Sequence, residues 1–192
     1  MIDSAGIVQT LSLNGKERGA NEQDIGQYDR VANILAATGG CALYRMETLR
    51  KVAQRPRQNE ILSLEAFDSD FFAYKEDVDL GWRMHTHGWQ VQYIPVLVAY
   101  HARTLGKRGI FNWGIAPRAI ADRIANNRTR LSLRNYMWMI AKNATPKQEL
   151  LHGIFILARL KLFFLLSLFS PKLFSAWKEA FAGMGMMMNK RK

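Results

Sequence analysis

Three carboxylates, Glu76, Asp77 and Asp79, fall within the stretch "YKEDVDLGWR" of a chain whose formal charge is +11. Carboxylates this close can charge the first turn of a helix, hold a metal ion, or take a proton from a substrate hydroxyl. On a helix that turns by about 100° per residue, Asp77 and Asp79 point to nearly opposite sides, so they do not easily share one task. Asp77, Leu80, Gly81 and Met84 lie along one side instead. A helix N-terminus favours negative charge, the state in which a carboxylate accepts a proton from a sugar hydroxyl. Acids favour that place for stability alone as well, and spacing leaves both readings open.

The surrounding pattern supplies the elements that must carry these acids. A helix is expected over 76–87, with Gly88 capping its end. The following "GWQVQYIPVLVAYH" alternates and then turns apolar, which predicts a strand ending near His101. Upstream, "VANILAATGGCALYR" is apolar, and its Gly39-Gly40 pair lets backbone approach a neighbour or ligand. Residues 41–44 are expected as a buried strand and "METLRKVA" as a short helix. Residues 1–30 read as loop with one short strand around 7–11. Residues 102–118 have a loop composition, with Gly106, Gly109, Gly114 and Pro117 among Lys107, Arg108 and Arg118.

From residue 119 onward the pattern is helical. The run 150–169 is 20 residues long, enough to cross a bilayer. Arg159 and Lys161 sit at its middle, where each costs about 2.5–3.5 kcal/mol on the insertion scale. That penalty favours a helix lying in the membrane interface, its basic side chains reaching toward water.

Charge divides the chain the same way. Residues 1–101 hold 10 Lys and Arg against 13 Asp and Glu, whereas residues 102–192 hold 17 against 3. An anionic partner of the second half is therefore expected, and the apolar run points to an anionic membrane surface. Tyr136 and Trp138 among basic residues also fit a nucleic-acid surface. No nucleic-acid motif accompanies them, and the 150–169 run is too apolar for a solvated face, so no nucleic acid is expected. The single cysteine, Cys41, excludes an internal disulfide and suits a reducing compartment. "MIDSAGIVQT" lacks the pattern of a signal peptide.

In sequence, "ATGGCALYRMETL", "FDSDFFAYKEDVDLGWRMHTHGW" and "VQYIPVLVAYH" resemble the second half of a family 2 glycosyltransferase catalytic domain. The resemblance is nearest to the rhamnosyltransferase-like enzymes of bacterial cell-surface polysaccharide assembly. It runs from about Asp3 to His101 and more loosely through "RNYMW". It implies an α/β fold of the GT-A type, a sheet with helices on both faces, over residues 1–118. Residues 119–192 follow as a membrane-associating tail at the cytoplasmic face, peripheral or monotopic. Asp77 matches the general base of an inverting transfer, Glu76 its partner, and Asp79 is left to fix the helix.

The implied donor is a nucleotide-sugar, the acceptor lipid-linked or a polysaccharide, and the cofactor a divalent cation, Mg or Mn, in the intact enzyme. His101 stands where some members place a metal or diphosphate contact, against the alternative of a histidine satisfied at a strand end. Gly39, Gly40, Trp82, Arg83, Lys107 and Arg108 are the substrate-binding candidates. Trp82 packing against the sheet and a solvated basic loop at 107–108 are the alternatives.

Asp68 and Asp70 have Asp-x-Asp spacing but sit in the segment before the Glu-Asp pair, so they are not expected to bind the metal. His85 and His87 are expected to face solvent. The family's nucleotide-binding half is not matched, so the chain resembles a C-terminal portion. A catalytically silent, membrane-anchored scaffold is the competing expectation.

Overall fold

The protein is described by a computed structural model that covers residues 1–54, 64–96, 99–100 and 126–191. Strand β1 (Ile7–Gln9) pairs antiparallel with β2 (Gly15–Glu17), and β3 (Ala32–Ile34) with β4 (Val91–Tyr93). The two pairs meet where Ile7 donates to the Ala36 carbonyl at 2.9 Å, just beyond β3. Among the described residues every strand is three residues long and antiparallel. The expected sheet covered by helices on both faces is therefore not assembled from these residues.

Helices supply most of the structure: α1 (Met46–Val52), α2 (Glu76–Thr86), α3 (Asn127–Asn143), α4 (Pro146–Ser167) and α5 (Pro171–Asn189). Each long helix begins on a side-chain cap. Asn126 accepts from the Thr129 N–H at 2.9 Å, Thr145 and Gln148 form a reciprocal capping box, and Ser170 accepts from Leu173. Pro146 and Pro171 occupy first-turn positions, where a missing N–H costs nothing. Helix α4 ends at Ser167, two residues before the limit of the apolar run, and Ser170 then caps the start of α5.

Helix α2 closes as expected, with Gly88 at φ +80° and its N–H on the His85 carbonyl. Its start is different. Phe72, Tyr74 and Lys75 all have φ between +62° and +76°, a region that non-glycine residues avoid at about 1–3 kcal/mol each.

Two expectations fail here. Residues 41–44 form no strand: among the described residues no neighbour pairs with them, and Leu43 is 100% exposed. Strand β4 stops at Tyr93 because β3 offers only three partners, and Pro95 lacks the N–H to continue a ladder.

The core draws on both ends of the chain. Ile7, Leu13, Ala36, Phe71, Val78 and Trp82 share one cluster with Tyr136, Met137, Trp138, Met139, Ile156 and Met187. The expected boundary at 118–119 lies outside the described residues, but α3 is core and not a separable tail. Helix α5 lies on α3 so closely that a side chain at Gly183 would strike the Trp138 indole.

Helix α2 likewise touches the backbone beyond β3 through Gly81, where a Cβ would lie 2.5 Å from the Ala36 methyl. This approach fixes how far α2 stands from residues 36–40. Gly81→Ala is expected to lower stability by about 1–3 kcal/mol through overpacking. Gly153→Ala, in open space on α4, should raise it by roughly 0.5–1 kcal/mol. Urea unfolding of both variants checks the pair, and an unchanged midpoint for Gly81→Ala would contradict the close approach.

Candidate functional site

The two aspartates of α2 do lead to different places. Asp77 is half-buried, and its Oδ2 accepts the Gly39 N–H at 3.2 Å across 38 positions of sequence. Its Oδ1 accepts from the Val78 N–H at 2.8 Å. A Cβ on Gly40 would meet nothing within 4 Å, so the backbone beside this carboxylate borders open space. Gly39, Gly40 and Asp77 together form an accessible ledge.

Three side chains adjoin it. Glu76 is half-buried, and its Oε2 has no hydrogen-bond partner among the described residues. Burial pushes the Glu76 carboxyl above its ordinary range, and Asp77 adds to the effect while the residue's own N–H opposes it. Tyr44 is pushed up to about 12, by burial first and then by Asp77, so its hydroxyl stays a donor at neutral pH. Lys75 is pushed down to about 8, chiefly by burial and next by Arg159, with Asp77 and Glu17 acting the other way. Glu17 itself is held by Thr38, at 3.2 Å, and by Ser4.

Helix α3 holds the strained entry to this site. The Asn135 amide, fully buried, donates to the carbonyls of Phe71, Ala73 and Tyr74 at 2.7–2.9 Å. Arg134 adds a bond to Phe71 at 2.9 Å. Lys142, two turns further on, reaches Asp68 at 2.7 Å and Asp79 at 2.9 Å. Asp79 is fully buried and also binds Arg83 and Asn143. It is an anchor between elements, beyond the first-turn role expected of it. Lys190, at the end of α5, closes the network on Asp68 and Asp70, both at 2.7 Å. Burial alone would raise Asp68; Lys142 and then Lys190 outweigh it and hold the carboxyl below its ordinary value.

Of the expected site residues, the fold brings Gly39 and Gly40 to Asp77 and Glu76. It does not bring Trp82 or Arg83. Both are 4% exposed: Trp82 packs in the core, and Arg83 clips α2 to the Val52 and Ala66 carbonyls and to Asp79. Neither borders an acceptor, a correction that follows from their place on the inner face of α2. His101, Lys107 and Arg108 lie outside the described residues. His85 is exposed as expected, with Nε2 3.0 Å from the Ile34 carbonyl.

Among the described residues no three ligating side chains gather for a metal ion. Asp68, Asp70 and Asp79 are taken up by Lys142, Lys190 and Arg83. The expected divalent cation thus finds no fitting ligand set among the described residues. Tyr136 and Trp138, 1% and 6% exposed, belong to the core and cannot stack on bases.

Tyr44 and Lys75 were within reach of sequence reasoning, standing in "LYR" and directly before Glu76. Asn135 and Lys142 carried no local signal, because their partners lie more than 60 positions away. No protein-family model, curated protein or solved structure matches the chain.

Lys75 gives the site a pH signature. Its folded value lies below its ordinary 10.5, so between about pH 8 and 10.5 the unfolded chain holds the extra proton. Stability contributed at this residue therefore rises with pH across that window, and the cost of the buried charge is fully present below it. Wild type should gain on Lys75→Met between about pH 7 and about pH 10 in urea unfolding. A constant difference between the two proteins would contradict the burial of this ammonium.

Proposed function

We propose that the chain forms the acceptor side of an inverting glycosyltransferase, which passes a sugar from a nucleotide-diphosphate donor to a lipid-linked or polysaccharide acceptor. The observation that carries this reading is the division of labour on α2. Asp79 is locked among buried cations, while Asp77 alone faces the open ledge at Gly39 and Gly40.

In the proposed reaction the acceptor hydroxyl hydrogen-bonds to the Asp77 carboxylate. As its oxygen attacks the donor's C1 from the face opposite the diphosphate, the proton passes to Asp77. The C1–O bond breaks, and its electron pair leaves with the nucleoside diphosphate. Glu76 stands beside the base with one buried, unpartnered oxygen, and the Tyr44 hydroxyl keeps its proton at neutral pH. The cations expected to meet the diphosphate, Lys107 and Arg108, lie outside the described residues, so no step is routed through them.

Helix α4 supports the membrane part of the reading. It is the one described helix long and apolar enough to span a bilayer, with mean hydropathy 1.8. Leu150, Ile154, Leu157 and Leu162 are all more than half exposed, and a groove of about 560 Å³ runs between α4 and α5 past Leu157, Phe164 and Trp177. Arg159 is turned inward onto Tyr136 and Phe163, which leaves Lys161 as the mid-helix charge on the outer face. One lysine can snorkel, and the long exposed face suits contact in the plane of an anionic surface.

Liposome flotation should show binding to anionic vesicles, weakened on neutral ones and released by carbonate. Equal binding to both, or release by detergent alone, would replace peripheral contact with an integral span.

The chemistry is tested in the intact enzyme. Asp77→Asn should lower kcat by about 10²–10⁴-fold with donor affinity retained. Its stability should change by less than about 1 kcal/mol. Asp79→Asn should instead destabilise by roughly 3–5 kcal/mol, because it unbalances buried Lys142 and Arg83. A folded Asp77→Asn enzyme that binds donor and turns over near the wild-type rate would overturn the assignment of the base.

A further inference from the structure

Phe67 is an exposed aromatic ring on a backbone pinned from both sides. The carbonyl of Ala66, just before it, accepts from the Arg83 guanidinium at 2.7 Å. The carboxylate of Asp68, just after it, is held by Lys142 at 2.7 Å. The ring itself is 41% exposed and meets Tyr44 at 6.1 Å between centroids, with the two planes at 83°. Tyr44 in turn packs against the cluster that holds Val52, Leu80 and Met84. Leu80 and Met84 follow Asp77 along one side of α2, so the rings stand beside the stripe that Asp77 begins. The Asp77 charge is felt at the Tyr44 hydroxyl, in agreement with that placement.

Single aromatic side chains at a surface are ordinary and carry no message. This pair is held differently. Its backbone is fixed by the same buried ions that orient α2, and its edge-to-face contact is a favoured ring geometry. Polar groups also adjoin it. Gly39, five residues before Tyr44, donates to Asp77, and Thr38 beside Gly39 donates to the Glu17 Oε1 at 3.2 Å. Two carboxylates and the open backbone at Gly40 thus lie next to the rings.

That combination selects among ligands. A hydrocarbon chain suits the rings but leaves Asp77 and Glu17 against apolar surface, where an ionised carboxylate is costly. A nucleotide brings a base that stacks, yet its phosphates meet the carboxylates of Glu17, Glu76 and Asp77. Against these stands Lys75, whose burial already disfavours its charge. A neutral pyranose finds a partner for each of its parts. The C–H groups on one face of the sugar are partially positive and suit the negative face of an aromatic ring. Its hydroxyls donate to carboxylates from the edge.

We infer that Phe67, backed by Tyr44, is a platform on which a neutral sugar ring stacks with one hydroxyl directed to Asp77. The acceptor is then recognised by its terminal sugar, and neither a lipid chain nor a phosphate is needed for that contact. Phe67 sets the specificity, and Tyr44 acts through it by holding the ring in place. That the stacked sugar is the acceptor rests on the transferase reading; the stacking itself is measured without turnover.

The test is saturation-transfer NMR on the full chain, with methyl glycosides of several neutral hexopyranoses as probes. Cyclohexanol and uridine 5′-monophosphate serve as the other arms. At least one glycoside should bind, with the C–H groups of one ring face taking most of the saturation. Phe67→Leu keeps apolar bulk, and so the fold, but removes the ring; it should weaken binding about fivefold, and Phe67→Tyr should restore it. Phe181→Ala, at an exposed phenylalanine of α5, should leave binding unchanged. Thermal melts confirm that each variant is folded. Absence of glycoside binding, or full affinity in Phe67→Leu, would overturn the platform. Cyclohexanol or the nucleotide binding as tightly as the best glycoside would overturn its preference for a sugar. The two readings fail separately. An intact Asp77→Asn enzyme that transfers sugar at the wild-type rate sinks the transferase reading and leaves the stacking in place, whereas lost turnover in Asp77→Asn beside full affinity in Phe67→Leu sinks the platform alone.

Discussion

The ammonium of Lys142, held between Asp68 and Asp79, is the contact on which the arrangement turns. A buried charge is tolerated only when it is paired and hydrogen-bonded, and this network meets the condition as a whole. Asp68, Asp70 and Asp79 face Lys142, Arg83 and Lys190, three charges of each sign. Arg83 carries the network on to the end of α1 and to residue 66, and Lys190 brings in the last turn of α5. Sliding α3 by one turn would strand several of these charges at once, so the network selects one docking of the helices more than it adds net stability.

The orientation of the catalytic candidate follows from that lock. With Asp79 pinned to α3, the helical period turns Asp77 toward Gly39. Gly81 then sets the distance, since any side chain there would push α2 off the backbone at residues 35 and 36. The left-handed run at Phe72, Tyr74 and Lys75 aims the start of the helix, and three carbonyl bonds from Asn135 hold it there. A site that needs one carboxylate open and its neighbour buried is thus built from a buried ion network, a small residue and an amide latch. None of these touches the open ledge itself.

What the sequence disclosed depended on how local the cause was. The limits of α2, its Gly88 cap and the opposite directions of Asp77 and Asp79 all follow from periodicity within one turn or two, and the structure has them. The strand read at residues 41–44 was apolar in pattern, but a strand also needs a partner, and pairing is a property of the whole chain. For the same reason Arg83 was placed at a pocket rim, and Trp82 was left open between that rim and packing against the sheet. Their residue types suit a pocket rim equally well, and only the position of α1 and α3 makes them interior. Asn135 and Lys142 lay in a basic, aromatic helical stretch that read as part of a membrane-associating tail. Their buried roles depend on carbonyls and carboxylates far upstream, which no window of sequence contains.

Helix α4 poses the remaining physical question, because a long apolar helix this exposed is an unusual cost for a chain in water. The inward turn of Arg159 is part of the answer. By stacking on Tyr136, whose hydroxyl donates to the Ser12 carbonyl at 2.6 Å, it ties the apolar helix to the hairpin loop and to α3. His152 makes a second tie to the Leu11 carbonyl, two turns earlier on the same side of the helix. The helix is therefore fastened along its inner side by polar contacts and left bare on its outer side. Fastened this way it cannot leave the body to cross a bilayer without breaking those contacts. It can, however, lay its bare face on a membrane surface while the carboxylate of Asp77 stays with the body of the protein, beside whatever that surface presents.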